Sequence, residues 1–470
     1  MEAMKVRRFC LPFALSLLLP VVFTASAANT TDNSSLIAKG KYVAIAADCG
    51  ACHNAPHNAA EMGGGYIITS PLGNIFASNI TPSKIAGIGD YTEEDFSRTV
   101  REGINKQGQH LYPAMPYTSY AKITDEDMHA LYVYFMQGVK PSDKPAPVTA
   151  LPFPFNMRSG MAVWNRFFAD ARPFQPRADV SEEVNRGDYL VNALAHCDTC
   201  HTPRNAFMGQ DNSKALSGGN LGSWYAPNIT PDKNSGIGGW RDEEIAQYLK
   251  TGHVAGKAQA AGPMAEAVEH SLQHLSDSDI NAIVAYLRQI PAVHQGESVP
   301  RDGMGAPADT EARLRGLSQV DPGWKVFSST CANCHQDNGQ GNARYPSLFH
   351  NTVTGAPQAD NLIATIIYGV HRDVNGEAIA MPGFGPDAFY TDRLTDQQIA
   401  DVSNYVLKNF GNSALNVTAE QVKTVRENGK PPLIARLADP TVWGIAAIGL
   451  LILLGVIYSA LRKRKHHAAA

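Results

Sequence analysis

Cys49-Gly50-Ala51-Cys52-His53 returns as Cys197-Asp198-Thr199-Cys200-His201 and again as Cys331-Ala332-Asn333-Cys334-His335. The chain has seven cysteines, and all but Cys10 lie in these three stretches. Two thiols three positions apart on one helical turn face the same way. They can form thioethers to both vinyl edges of one porphyrin, and the next residue then lies under the iron. C-x-x-C-H is the attachment pattern for c-type haem. With only 15 His in 470 residues, three chance placements after the second Cys are improbable. A disulfide framework does not explain the fixed His, and zinc sites normally use two such pairs, which leaves one unmatched. The cysteines therefore predict three covalent haems, with His53, His201 and His335 as proximal iron ligands.

Sixth ligands follow from an internal repeat. Lys39-Gly40-Lys41-Tyr42 and Arg186-Gly187-Asp188-Tyr189 precede the first two motifs. Asn79-Ile80-Thr81-Pro82 and Asn228-Ile229-Thr230-Pro231 follow them at the same interval within one residue, and Gly87-Ile88-Gly89 then matches Gly236-Ile237-Gly238. Each unit next carries a predicted helix, 92–102, 241–251 and 361–368, stopped by Gly103, Gly252 and Gly369 as left-handed caps. Met115, Met264 and Met381 each stand at the same offset beyond that glycine, beside Pro116, Pro263 and Pro382. A lone methionine is usually core packing; the shared offset makes these three the axial partners. His/Met ligation raises the haem potential and leaves no open iron position, so the irons should pass electrons only. His196, His253, His270, His274 and His371 are weaker candidates for ligands or quinone-site groups. Pro346 could offer its carbonyl to His335, or form a plain turn.

A last helix closes each unit at 124–137, 276–289 and 395–409, opened by a Ser or Thr cap with an acidic or amide residue three on. It is expected to pack across the helix that bears the haem motif.

Both chain ends read as membrane-directed. Lys5, Arg7 and Arg8 precede an apolar run to Phe23 and the small residues Ala25-Ser26-Ala27, a signal peptide over 1–27. Val442 to Leu461 holds 20 uncharged residues, followed by Arg462-Lys463-Arg464-Lys465. That length spans about 30 Å as a helix. Trp443 and Tyr458 suit the interface, and the cations should stay cytoplasmic. The body is then exported to the periplasmic face of a bacterial inner membrane and held by one C-terminal anchor.

Composition agrees. Hydrophobic residues are 44% and charged residues 18%, which excludes a mainly disordered chain. A mean hydropathy of -0.21 leaves room for one spanning segment. With the ends set aside, 33 basic residues face 43 acidic ones. Such a surface does not seek nucleic acid.

The fold expected is mainly α: three tandem cytochrome c-type haem domains plus one C-terminal transmembrane helix. Its boundaries are 1–27 signal peptide, 28–145 first domain, 146–180 linker, 181–292 second domain, 293–315 linker, 316–412 third domain, 413–440 tail, 441–461 anchor and 462–470 cytoplasmic tail. In the first linker, 157–168 reads as a helix with Met157, Met161, Trp164 and Phe168 on one stripe, facing either the body or the bilayer.

The three motifs, with Leu111 to Tyr117, Ser223 to Thr230 and Ala258 to Gln273, resemble the triheme cytochrome c subunits of membrane-bound dehydrogenases. The later stretches look closer to subunits of flavin-dependent gluconate, fructose and sorbitol dehydrogenases than to that of the quinoprotein (PQQ) alcohol dehydrogenase. The resemblance implies a large flavoprotein or PQQ partner that oxidises a sugar, sugar acid or alcohol, a small third subunit, and ubiquinone as acceptor. The chain itself shows no dinucleotide fingerprint near a βαβ unit, and no catalytic triad. Hydride chemistry belongs to the partner. A stand-alone membrane cytochrome c is the other reading.

Overall fold

A helix before each Cys pair crosses the closing helix of its own repeat, three times over. In this computed structural model, which describes residues 27–55, 60–70, 72–308, 320–342 and 344–467, Ala27–Ala46 packs on Asp125–Val133. Glu182–Tyr189 packs on Asp277–Gln289, and Pro322–Val326 on Asp396–Phe410. A glycine sits at every crossing. A Cβ on Gly40 would stand 2.0 Å from the Ala130 carbonyl oxygen, on Gly187 1.9 Å from that of Ala282, and on Gly323 2.1 Å from that of Asp401. Backbones meet this closely only where no side chain intervenes. The closing helices begin as their sequences predict: Thr124, Ser276 and Thr395 accept from the backbone N–H groups of Asp127, Asp279 and Gln398. The signal segment lies outside the described residues, except for Ala27.

The first two repeats exchange side chains reciprocally. The Tyr42 hydroxyl donates to Asp279 at 2.7 Å and accepts from the Ser276 N–H at 3.0 Å. The Tyr189 hydroxyl donates to Asp127 at 2.8 Å and accepts from the Thr124 N–H at 3.2 Å. Lys39 pairs with Asp127 at 3.0 Å, and Arg186 with Asp279 at 2.7 Å. The Lys-Gly-Lys-Tyr and Arg-Gly-Asp-Tyr stretches thus tie each repeat to its own closing helix by the cation and to its sibling's by the tyrosine. One continuous core runs from Val43 through Leu287. The sequence suggests separate small units, whereas the first two bury their apolar faces together, because about 100 residues bury little alone.

The third repeat has a core of its own around Phe327, Ile363, Ile399 and Phe410. It docks on the second. The Asn361 side chain accepts from the Tyr225 N–H at 2.8 Å and donates to its carbonyl at 2.9 Å, and Arg372 donates to the Ala260 carbonyl at 2.7 Å. Residues 413–440 do not trail free. Helix Ala419–Arg426 puts Val422 and Val425 into the third core.

The helix expected at 157–168 spans Ser159–Phe168. Met161, Trp164 and Phe168 are half-buried, and Trp164 donates to the Phe207 carbonyl at 2.9 Å. Met157 of the expected stripe lies before the helix and is 50% exposed, and Phe167 points outward, 74% exposed, so only the part of the stripe from Met161 packs on the body while a second apolar edge stays open. The last helix is Pro440–His467; in its segment Pro440–Ser459, of mean hydropathy 2.3, no described residue is buried. By length and composition it can cross a bilayer.

Candidate haem-binding sites

Each Cys pair lies on or beside one turn of helix: Cys49–His53, Cys197–His201 and Ala332–His335. The chain enters the first two through a left-handed residue, Asp48 (φ 53°) and His196 (φ 39°). All six cysteines are free of disulfides and half-buried. Burial pushes the thiols of Cys49, Cys52, Cys197 and Cys331 up to about 12 and that of Cys200 to about 11, so they sit protonated at neutral pH.

The three histidines share one constraint. Nδ1 of His53 faces the Ser78 carbonyl at 2.7 Å, that of His201 the Pro227 carbonyl at 2.6 Å, and that of His335 the Pro346 carbonyl at 2.9 Å. A carbonyl only accepts, so Nδ1 carries the proton and the Nε2 lone pair is left for a metal. Burial lowers the pKa of all three rings, that of His201 to about 4, which keeps them in the neutral, ligating form.

The sequence offers Pro346 as an acceptor or a plain turn, and the structure makes it the acceptor; sequence reasoning missed the other two, although the repeat marks them. Ser78 and Pro227 each precede an Asn-Ile-Thr-Pro stretch. There the asparagine locks the turn: Asn79 Oδ1 accepts from the Thr81 N–H at 2.9 Å and hydroxyl at 2.7 Å, and Asn228 Oδ1 from those of Thr230 at 2.8 and 2.7 Å. Gly87 and Gly236 close over the same threonine carbonyls, where a Cβ would stand 2.1 and 2.0 Å away.

The constant glycine-to-methionine offset also has a structural cause. A β-hairpin fills it each time, reduced to the bridge Ile104–His110 in the first repeat, His253–Val254 with Ala258–Gln259 in the second, and Val370–Val374 with Glu377–Met381 in the third. Gly103 and Gly252 are left-handed caps as predicted. Gly369 differs: its φ of 75° comes with a ψ of -166°, and the Met381 carbonyl lies 2.3 Å from where its Cβ would be. Met115 sits in a loop, Met264 opens helix Pro263–His270, and Met381 ends a strand. Met115 and Met264 are half-buried against the same core as Cys49 and Cys197, and Met381 against the third core with Cys331.

Of the rival histidines, His253 faces the Gln259 side chain at 2.6 Å and His274 the Glu269 carbonyl at 3.1 Å. His196 makes the same Nδ1-to-carbonyl contact as the three motif histidines, to Leu194 at 2.9 Å, but it precedes its Cys pair instead of following it. His270 and His371 are exposed. No cluster of three His, Cys, Asp or Glu suited to a metal occurs among the described residues. The first two sites adjoin. Tyr120 donates to the Ala47 carbonyl at 2.5 Å and stacks edge-on against His196 at 5.5 Å, and Ser119 reaches Asp198 at 3.0 Å.

Half-buried paired thiols followed by a metal-ready imidazole, on short helices crossed by a closing helix, define a covalent haem protein. The cytochrome c family model matches residues 184–291 and 320–409. The chain is 45% identical to the fructose dehydrogenase cytochrome subunit of Gluconobacter japonicus, over 92% of both chains. It is 39% identical to the gluconate 2-dehydrogenase cytochrome c subunit of Pantoea cypripedii, over 88% of this chain and 95% of that one. Identity to the cytochrome c subunit of the quinone-dependent alcohol dehydrogenase of Gluconobacter oxydans is 37%, over 88% and 87%. The chain belongs to the cytochrome c family, in the group of dehydrogenase cytochrome subunits.

Proposed function

We propose that this chain is the triheme electron-transfer subunit of a flavin-dependent sugar or sugar-acid dehydrogenase, with ubiquinone as acceptor. The carrying observation is the identical Nδ1-to-carbonyl bond at His53, His201 and His335, which readies the three C-x-x-C-H motifs alike. Cys49 and Cys52, Cys197 and Cys200, and Cys331 and Cys334 would hold the porphyrins. His53 with Met115, His201 with Met264 and His335 with Met381 would ligate the irons. Bound haem supplies one-electron storage at a potential raised by the thioether ligand. The chain's own residues orient the ligands and exclude water around them. The second repeat lies between the first, through Tyr120 and His196, and the third, through Asn361 and Arg372, which favours a relay passing through its site.

Helix Pro440–His467 would moor the subunit in the inner membrane, with Arg462 to Lys465 cytoplasmic and the body periplasmic. The names of the relatives support a partner that oxidises a sugar or sugar acid, and a PQQ alcohol dehydrogenase is the alternative partner. Purification of the native complex tests this. Three haems per chain, a co-purifying large flavoprotein and substrate-driven ubiquinone reduction are expected. Absence of any large flavin or PQQ subunit would sink the reading, and a PQQ subunit would move it to the alcohol group.

A further inference from the structure

Arg301 lies in the 293–315 segment between the second and third repeats, on the turn Arg301–Gly303. Its side chain is deep inside the protein, with the residue 9% exposed. Among the described residues its side chain has one hydrogen bond, a long contact of 3.5 Å from Nη2 to the Asn228 carbonyl. It makes no ion pair among the described residues. The acids nearby, Asp302 and Glu297, act on its charge only at a distance, because Asp302 bonds Lys257 at 3.3 Å and Glu297 the Ser235 hydroxyl. A buried guanidinium with no directly bonded anion is unfavourable. Its position is pinned, since a Cβ on Gly355 of the third repeat would stand 1.9 Å from the Arg301 carbonyl.

The surroundings identify the missing anion. Asn228 directly follows Pro227, whose carbonyl fixes His201. The guanidinium therefore lies one residue along the chain from the carbonyl that fixes the proximal ring of the second haem site. Haem carries two carboxylates on the edge away from the thioethers, and a guanidinium fork matches a carboxylate in shape and charge. We propose that Arg301 is the counter-ion of a propionate of the haem held by Cys197, Cys200 and His201. It rests on the triheme reading above. It also makes the third repeat, through Gly355, part of what positions the second haem.

The test uses the full-length holoprotein. Haems are counted per chain, and the three midpoint potentials are resolved by spectroelectrochemical titration. In Arg301→Gln the unpaired propionate favours ferric iron, so one potential should fall while two hold. Arg301→Lys keeps the charge without the fork and should recover part of that shift. Three bound haems with all three potentials unmoved would overturn the assignment. If the Gln variant does not accumulate, a structure of the wild-type holoprotein decides. A propionate oxygen on Arg301 supports the proposal, and propionates directed elsewhere overturn it. A wild-type chain with three haems but an unmoved Arg301→Gln titration breaks this inference alone; a wild-type chain lacking the haem at Cys197 and Cys200 breaks the triheme reading and this inference with it.

Discussion

Met115, Met264 and Met381 occupy a loop, a helix start and a strand end, and what they share is the hairpin that measures their distance from a glycine. Replacing each with Ala should therefore affect one site at a time. Each of Met115→Ala, Met264→Ala and Met381→Ala should lower one of three midpoint potentials and add a high-spin band, read by redox titration with optical and EPR spectra. A variant that moves no potential removes that methionine from the ligand set. The sequence assigns the cysteines and histidines from the spacing that covalent attachment requires, and the methionines from the repeated offset. Ser78 and Pro227 were not, because a carbonyl acceptor is a backbone group that any residue supplies. Only the neighbouring Asn79 and Asn228, whose side chains hold the turn, leave a trace in the sequence. Arg301 escaped for the opposite reason: an arginine in a proline-bearing linker reads as a solvated surface charge until burial is known.

Helix crossings are where single atoms decide stability. Gly187→Ala puts a methyl 1.9 Å from the Ala282 carbonyl oxygen, so the two helices must separate. The expected loss is about 1–3 kcal/mol, measured by chemical denaturation with the haems in place. The sequence showed Gly40 and Gly187 within a repeated stretch but not why they are glycine, since close backbone approach has no periodicity. The tyrosine exchange is separable from this. Tyr42→Phe and Tyr189→Phe each delete a hydrogen bond to a carboxylate and one from a backbone N–H, at a cost of about 1.5–3 kcal/mol, and the reciprocal arrangement predicts similar losses. A pH dependence accompanies the first. Burial pushes the Asp279 carboxyl up, but bonds from Arg186 and Tyr42 outweigh it and hold the group below its ordinary value. A carboxyl lowered in the folded state stabilises above its unfolded value of about 3.9 and loses that contribution as pH falls through the folded value. Asp279→Asn should be less stable than wild type at pH 7, and the gap should narrow by about pH 3. An equal gap at both would show that the charge of Asp279 is not what holds the first two repeats together. Caps and helix spans were legible because Thr124, Ser276 and Thr395 announce them; the merging of two repeats into one core was not, because apolar faces do not name their partners.

At the scale of the molecule, the apolar C-terminal helix touches the body, among the described residues, near its first turn. Trp443, near the start of the last helix, stacks on Phe153 at 5.2 Å and donates to the Leu437 carbonyl at 2.7 Å. Phe153 and Met157 beside it are about half exposed, and Phe167 in the following helix is 74% exposed. The apolar C-terminal run was legible by length alone, whereas its contact with a proline-rich linker was not, since it joins residues far apart in the chain. Deleting 440–470 removes the whole apolar helix while leaving Val422 and Val425 in the third core. On the proposed triheme reading, the truncated chain should therefore keep its haems and their spectra. It should move from the membrane to the soluble periplasmic fraction, because the remaining apolar edge is too small to replace a spanning helix. Reduction of the haems by the partner dehydrogenase should persist, since no described haem-site residue lies in the deleted segment. Transfer to ubiquinone should drop sharply in membranes, where the acceptor is confined to the bilayer, and less so with a soluble quinone analogue. If both acceptors fail equally, the helix supplies part of the quinone site itself and not only the nearness of the relay to the membrane.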